Sequence, residues 1–249
     1  MDYTIVIPAF NEEELLPRTL ASLRTAMAAV PQYAGEIVVT DNNSTDRTAA
    51  VAAAGGARVV FEPLNQISRA RNAGAGAALG RWLVFVDADT TIPPELLART
   101  LDTLAAGRVC AGGAYIGTSD PLPPKVARTL GHWNWLAPRL RWAAGSYVYC
   151  TRDAWAGVGG FSLNVYASEE LWFSRAVRRW GRRHGQSFEV IPIAVDTSMR
   201  KVAWFGPWRL FKQLCLILLF PFALRSRRLC SIWYHRPPAR KPGTPPPQP

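Results

Sequence analysis

Histidine and cysteine are scarce in this 249-residue chain, which holds three of the first and four of the second. Cys110, Cys150, Cys215 and Cys230 stand far apart with no CxxC spacing, so neither a zinc site nor a disulfide framework is indicated. They are expected to be reduced packing residues of a cytoplasmic protein. Met1 runs into the apolar stretch Tyr3–Pro8 without the basic, apolar and small-residue zones of a signal peptide, so export is not expected. Acidic residues are absent beyond Asp196. All 18 lie at or before it together with 19 of the 29 basic residues, which leaves that part at net +1 and puts the other ten cations in the tail. A near-neutral body with a basic appendage implies a domain held to an anionic surface. Nucleic-acid binding is not expected, because the surplus charge of the +11 chain sits in an apolar, aromatic tail.

With 49% apolar residues the chain can bury a substantial core. Tyr3–Ile7, Glu36–Thr40, Arg58–Phe61 and Trp82–Val86 are short, apolar and bounded by polar residues, as buried strands are. Helices are predicted between them. The first is expected to start at Asn11 as N-cap, with Glu14 completing a capping box and Leu16, Leu20, Leu23 and Met27 on one face. Others are predicted over Asp46–Ala54, Ser68–Leu79 and Glu95–Ala105. Strand and helix in alternation imply an α/β fold with a mostly parallel central sheet, whose ligands bind at the carboxyl ends of the strands.

Beyond Arg108 the pattern loosens. Val109–Ile116 and Ser146–Thr151 are predicted strands around an irregular Pro- and Trp-rich segment, Pro121–Trp142, which is expected to shape an acceptor side. A helix over Ser168–Trp180 and a strand around Phe188–Val195 follow. Leu214–Leu224 is an almost uninterrupted apolar run flanked by arginines and lysines. It is too short for the ~20 residues that a membrane span takes. With Pro221 inside and Trp233 and Tyr234 after it, residues 201–236 suit an amphipathic helical segment at a membrane interface, or alternatively one packed on the domain or mediating self-association. The seven prolines of residues 237–249 predict a disordered or extended end.

The polar clusters lie where the strands stop: Asn11–Glu14, Asp41–Asp46 and Asp87–Thr90. One such cluster is an ordinary turn. Several at successive strand ends imply a site. Asp87 and Asp89, at i and i+2, can meet one ligand if the chain turns there, and their hard oxygens suit Mg2+ or Mn2+ bridged to a diphosphate. The alternative is a helix N-cap at Asp89 or Thr90, ahead of a helix entered through Pro93. The run Gly74-Ala-Gly-Ala-Ala-Leu-Gly is not GxGxxG and lies within a helical stretch, so no dinucleotide loop is read there.

In this order and spacing, IVIPAFNEE from Ile5, VVTDNNSTDRT from Val38, ARNAG from Ala70 and VFVDAD from Val84 resemble family 2 of the glycosyltransferases, over residues 3 to about 181. The resemblance implies a GT-A (Rossmann-like) fold on residues 1–200 and the inverting transfer of a sugar from a nucleoside-diphosphate sugar, UDP- or GDP-linked, to a glycan, lipid or polyprenyl-phosphate acceptor. By position it implies that Pro8, Phe10 and Glu12 line a nucleoside pocket and that Asp41 meets the base. Asn42 stands where the family often has a second aspartate, so base recognition is expected to differ. Arg71 would approach the base or diphosphate, with Arg69 a companion, or either could be a solvated helix residue. Gly159-Gly-Phe followed by Glu169, Glu170 and Arg175 resembles the family's segment whose second acid is the general base. This makes Glu170 the candidate base and Glu169 its neighbour, in a first helical turn whose dipole favours ionised carboxylates. The same placement suits plain helix stabilisers. Arg200 and Lys201 could close over the diphosphate or begin the basic tail. The expected location is peripheral, on the inner face of the cell membrane. Competing readings are a catalytically silent scaffold of the same fold and a sugar-phosphate nucleotidyltransferase. The latter would be expected to carry a Gly-rich basic signature after the first strand, where Ala9-Phe-Asn-Glu-Glu stands.

Overall fold

Apolar residues on both faces of every central strand force the sheet between two layers of helix, and that is the arrangement in a computed structural model that describes residues 1–200, 204–205, 221–230 and 234. The strands are β1 (Tyr3–Ala9), β2 (Gly35–Asp41), β3 (Arg58–Phe61), β4 (Trp82–Val86), β5 (Thr90–Thr91), β6 (Val109–Gly117), β7 (Tyr147–Thr151) and β8 (Ser187–Thr197). The helices are α1 (Leu16–Ala28), α2 (Thr48–Ala54), α3 (Ile67–Ala77), α4 (Pro94–Ala105), α5 (Pro124–Leu140), α6 (Arg152–Gly157) and α7 (Glu169–Arg183).

One sheet runs β3-β2-β1-β4-β7-β6-β8-β5. β3, β2, β1 and β4 pair in parallel, β7 runs against β4 and β6, β8 is parallel to β6, and β5 opposes β8. Every strand but β5 and β7 therefore points the same way, and the carboxyl ends of β1, β2, β4 and β8 open on one rim. Alternation along the strands sorts the core. Ile5, Ile7, Val84 and Val86 meet Leu16, Leu20 and Leu23 of α1 and Leu97 and Leu101 of α4 on one face. Val6, Leu83 and Phe85 meet Phe161, and Phe173 and Val177 of α7, on the other. Each such side chain contributes about 1.5–3 kcal/mol by leaving water. α3 lies close on the sheet because it has Gly74 at the contact: a Cβ there would come within 2.5 Å of Thr40 Oγ1 and Val6 Cγ1. Gly74 thus serves helix packing, Gly80 a close approach to the backbone of β1, and a Cβ at Gly76 would meet nothing within 4 Å.

Three local expectations are corrected. α1 begins at Leu16, with Leu15 at the cap position and no side-chain cap, so Asn11 and Glu14 form no capping box. Asn11 instead adopts a left-handed conformation (φ 53°), and its Oδ1 accepts the Thr45 N–H at 2.8 Å, a partner in another loop that no local pattern displays. Pro121–Trp142 is not irregular: it contains the 17-residue helix α5. Its prolines sit where a helix tolerates them, Pro123 and Pro124 at the start, where N–H groups have no helical partner anyway, and Pro138 in the last turn. Asp89 and Thr90 do not cap α4, which starts behind Pro93; Thr90–Thr91 pairs with β8 instead.

Most of the tail, including Lys201 and nearly all of the apolar run and the Pro-rich end, lies outside the described residues. The described part packs on the body: Pro221–Arg225 is a short 3-10 helix, and Leu224 and Cys230 bury against Val165 and Ala167. The Leu224 carbonyl accepts the Tyr166 N–H at 2.7 Å. No helix among the described residues is long and apolar enough to cross a membrane.

The register between β6, β7 and β8 leaves no room at Gly112, where a Cβ would stand 1.9 Å from the Glu189 carbonyl and 2.3 Å from Tyr149 Oη. Gly112→Ala is expected to lose about 3 kcal/mol or more of stability, read as a lowered urea midpoint; an unchanged midpoint would contradict this register.

Candidate active site

The rim owes its shape to loops that zip together across strand ends. Ala9 and Asp41 are partners in register. Beyond them the Asn11 N–H donates to Ser44 Oγ (3.0 Å), Glu12 N–H to Thr48 Oγ1 (2.7 Å), and Glu13 N–H to Asp46 (3.2 Å). Asp41 is buried, with Oδ1 accepting the Ser44 N–H at 3.0 Å. Pro8 and Phe10 are half-buried at the end of β1. Asn42 is spent on structure. Its amide donates to the carbonyls of Glu62 (3.0 Å) and Leu64 (2.8 Å), and its Oδ1 accepts the Gln66 N–H at 2.9 Å. Its side chain thus braces the loop that leads into α3.

Arg71 lies within α3 and is 2% exposed. Its guanidinium reaches Glu169 Oε1 (2.5 Å), Asp87 Oδ1 (3.0 Å) and the Gly145 carbonyl (2.8 Å), and it sits 5.2 Å from the centre of the Phe161 ring. Burial disfavours its charge, but Glu169, Asp87 and Glu170 outweigh that and raise its proton affinity. Arg71 therefore binds acids of the protein itself. Arg69, two residues earlier, is half-buried and in no ion pair among the described residues. Arg200 does at the other end of the rim what Arg71 does in the middle: it pairs with Glu12 and, at 3.1 Å, with Asp89. Of the two readings of Arg200, the structure places it over the rim, where β8 delivers it.

Arg71 and two of its partners, Asp87 and Glu169, border a cleft of about 240 Å³. Arg71, Asp87, Ser146, Glu169 and Glu170 make its polar wall, and Ile67, Ile116, Leu130 and Met199 its apolar wall. Glu169 is buried with its charge on Arg71, while Glu170 faces the cleft. Desolvation, then the neighbouring Glu169, push the Glu170 carboxyl up to about 8, against the pull of Arg71. Burial thus overrides the helix N-terminus, which was expected to favour the ionised form. Ser168, with φ 55°, turns the chain so that both acids enter the site at the start of α7. Sequence reasoning missed Gly145, Ser146, Thr197 and Met199, which reach the cleft from strand ends that only the sheet order brings together. A polar residue heading a predicted strand was the single signal for Ser146.

The model of Glycosyl transferase family 2 matches residues 4–156. An uncharacterized glycosyltransferase of Mycobacterium tuberculosis is 37% identical over 134 residues, 54% of this chain and 53% of that protein. An undecaprenyl-phosphate 4-deoxy-4-formamido-L-arabinose transferase of Pseudomonas fluorescens is 36% identical over 118 residues, 42% of this chain and 32% of that one. The chain spans about half the length, or less, of these curated relatives. Among solved structures, a mannosyltransferase of Pyrobaculum calidifontis in complex with GDP-Man and Mn2+ superposes with a TM-score of 0.66 at 21% identity, over 90% of this chain and 64% of that one. The GT-A fold expected from the motifs is the fold observed.

Two outcomes follow from the acid cluster. Arg71→Met leaves Asp87 and Glu169 without their shared cation, and loses about 3–5 kcal/mol in urea unfolding; a smaller loss than that of an ordinary surface arginine would show the network to be idle. At Glu170 the folded state keeps a proton that the unfolded chain releases near 4.5, so the position costs stability as pH rises from there to about 8. Glu170→Gln removes that cost. Its Tm relative to the parent chain is expected to climb between pH 5 and 8 by about 2–4 °C for each kcal/mol recovered, and a pH-independent difference would refute the raised affinity.

Proposed function

The chain belongs to glycosyl transferase family 2, and on that premise we propose that it moves a sugar from a nucleoside-diphosphate sugar to an acceptor, inverting the anomeric centre with the help of a divalent metal. The observation that carries this reading is the Arg71 bridge, which holds the Asp-Ala-Asp turn after β4 and the acid pair of α7 against the same cleft. A donor-side group and a base are needed within reach of one substrate, and these two segments supply them.

Asp87 and Asp89 fit a hard divalent cation. Both are carboxylates on one tight turn. Asp87 is one-third exposed, with one of its oxygens on Arg71. Among the described residues no three metal-ligating side chains gather, so two carboxylates would leave the other positions to phosphate oxygens and water, as suits Mg2+ or Mn2+. The ion would offset the negative charge that builds on the departing diphosphate. Arg200, joined to Glu12 and Asp89, brings a second cation to that side. Pro8, Phe10, Glu12 and Asp41 form the part of the rim assigned to the nucleoside. The mannosyltransferase that shares this fold holds GDP-Man and Mn2+, which supports the donor class; UDP-sugars remain equally compatible with the rim.

Glu170 takes the proton of the acceptor hydroxyl as the anomeric carbon is attacked. A carboxylate whose affinity is raised is the stronger base once ionised. An acceptor that presents a phosphate, as the name of the Pseudomonas relative implies for that enzyme, asks little of this group.

Asp89→Asn is expected to slow sugar transfer by about 10²–10³-fold in an assay of GDP- and UDP-sugars with Mn2+; undiminished turnover would overturn the assignment. Glu170→Gln separates the acceptor classes, with a comparable loss for a hydroxyl acceptor and a small one for a phosphate.

A further inference from the structure

α5 is a helix with little to do inside the fold. Of its 17 residues only Ala137 is buried. Its inner side is fastened by Leu130 at the cleft and by Asn134, whose amide brackets the end of β6, accepting the Ile116 N–H (2.9 Å) and donating to the Ile116 carbonyl (2.7 Å). The outer side presents Lys125, Arg128, His132, Trp135, Leu136 and Arg139, all exposed and within one arc at helical spacing. Trp135 is 58% exposed, with the Arg139 guanidinium 4.0 Å above its ring. The helix contains no acidic residue.

The charge continues past its end. Arg178 of α7 donates to the Leu140 carbonyl at 2.5 Å, tying the two helices. Burial, and then the nearby charges of Arg141, Arg182 and Arg175, lower the proton affinity of Arg178, which marks a cluster of cations without counter-ions. Six arginines elsewhere on the body, at 18, 47, 58, 71, 81 and 99, are paired with carboxylates, while Arg24, Arg69, Arg108 and Arg152 stand singly and in no ion pair among the described residues. None of the cations on α5, or of those around its junction with α7, forms an ion pair among the described residues.

We propose that the outer face of α5, with the arginines at its junction with α7, is a docking surface for an anionic lipid bilayer. Unpaired cations on a solvent face repel one another and are stabilised by an anionic partner. Apolar and aromatic side chains interleaved with them fit the headgroup layer, where a tryptophan sits at the boundary and long cationic side chains reach the phosphates. A nucleic acid or an acidic protein would use the charge but leave Leu136 unaccounted for. The contact is separate from the basic tail and independent of the reaction proposed above.

Hydrogen exchange on the full chain, read by mass spectrometry with and without vesicles, tests this surface. Vesicles of phosphatidylcholine with phosphatidylglycerol are expected to protect peptides of α5, while phosphatidylcholine alone does not. Reversing Arg128, Arg139 and Arg182 to Glu together is expected to lower vesicle partitioning by at least about 10-fold, each cation near the surface accounting for about fivefold. Trp135→Ala, which changes no charge, is expected to weaken partitioning as well and covers the case in which the triple variant does not fold. Vesicle binding that leaves α5 unprotected would assign the membrane contact to the tail and overturn the proposal. So would partitioning unchanged by either variant, or protection that grows with protein concentration in the absence of lipid.

Discussion

Arg71 sits on α3 with its side chain out of water and its charge divided between two carboxylates from different parts of the chain, Asp87 after β4 and Glu169 at the start of α7. A buried cation is tolerable only with such partners, and the partners in turn are held where it can reach them. The first is 16 residues away and the second 98. Through this one group the parallel half of the sheet, which carries the aspartate turn, is locked to the mixed half, against which the acid pair of α7 lies. Asn42 does the corresponding work one loop earlier, fixing the approach to α3 with three hydrogen bonds.

The acids of the rim have different surroundings. Asp87 and Asp89 each face an arginine, while Glu170, next to Glu169 whose own cation is already shared, holds its proton into the neutral range. Fixed positive charge thus stands beside the two aspartates, while the surroundings of Glu170 favour its protonated form. Ile116, Leu130 and Met199 add an apolar wall to the same cleft.

Charge on the outside follows a different logic from charge on the rim. The body up to Asp196 has a net charge of only +1, yet several of its acids gather at strand ends and the arginines at the junction of α5 and α7 lie near one another without carboxylate partners among the described residues. Near-neutrality in the count hides a molecule with one acidic rim and one basic side. A linear reading that placed the basic character in the tail saw only half of it.

The sequence by itself determined the strands, the order of the polar clusters and the family, because continuous apolar runs such as Leu83–Val86 can only be buried strands and because the residues at their ends are written next to them. It also named Asp87, Asp89, Glu169, Glu170 and Arg200 as candidates, and folding gathers their side chains along the rim. Asn11 and α5 were misread, and the bracing bonds of Asn42 missed, for a shared reason. The partners that decide them, Thr45, the Glu62–Gln66 loop and the end of β6, are remote in the chain and adjacent only once the sheet is assembled. Arg71 shows the same limit: its motif marks it as a candidate near the ligand, but its carboxylate partners, 16 and 98 residues away, are visible only in the folded chain. The state of Glu170 belongs to the tertiary structure for the same cause, since desolvation and neighbouring charge are properties of a position in space and not of a position in the chain.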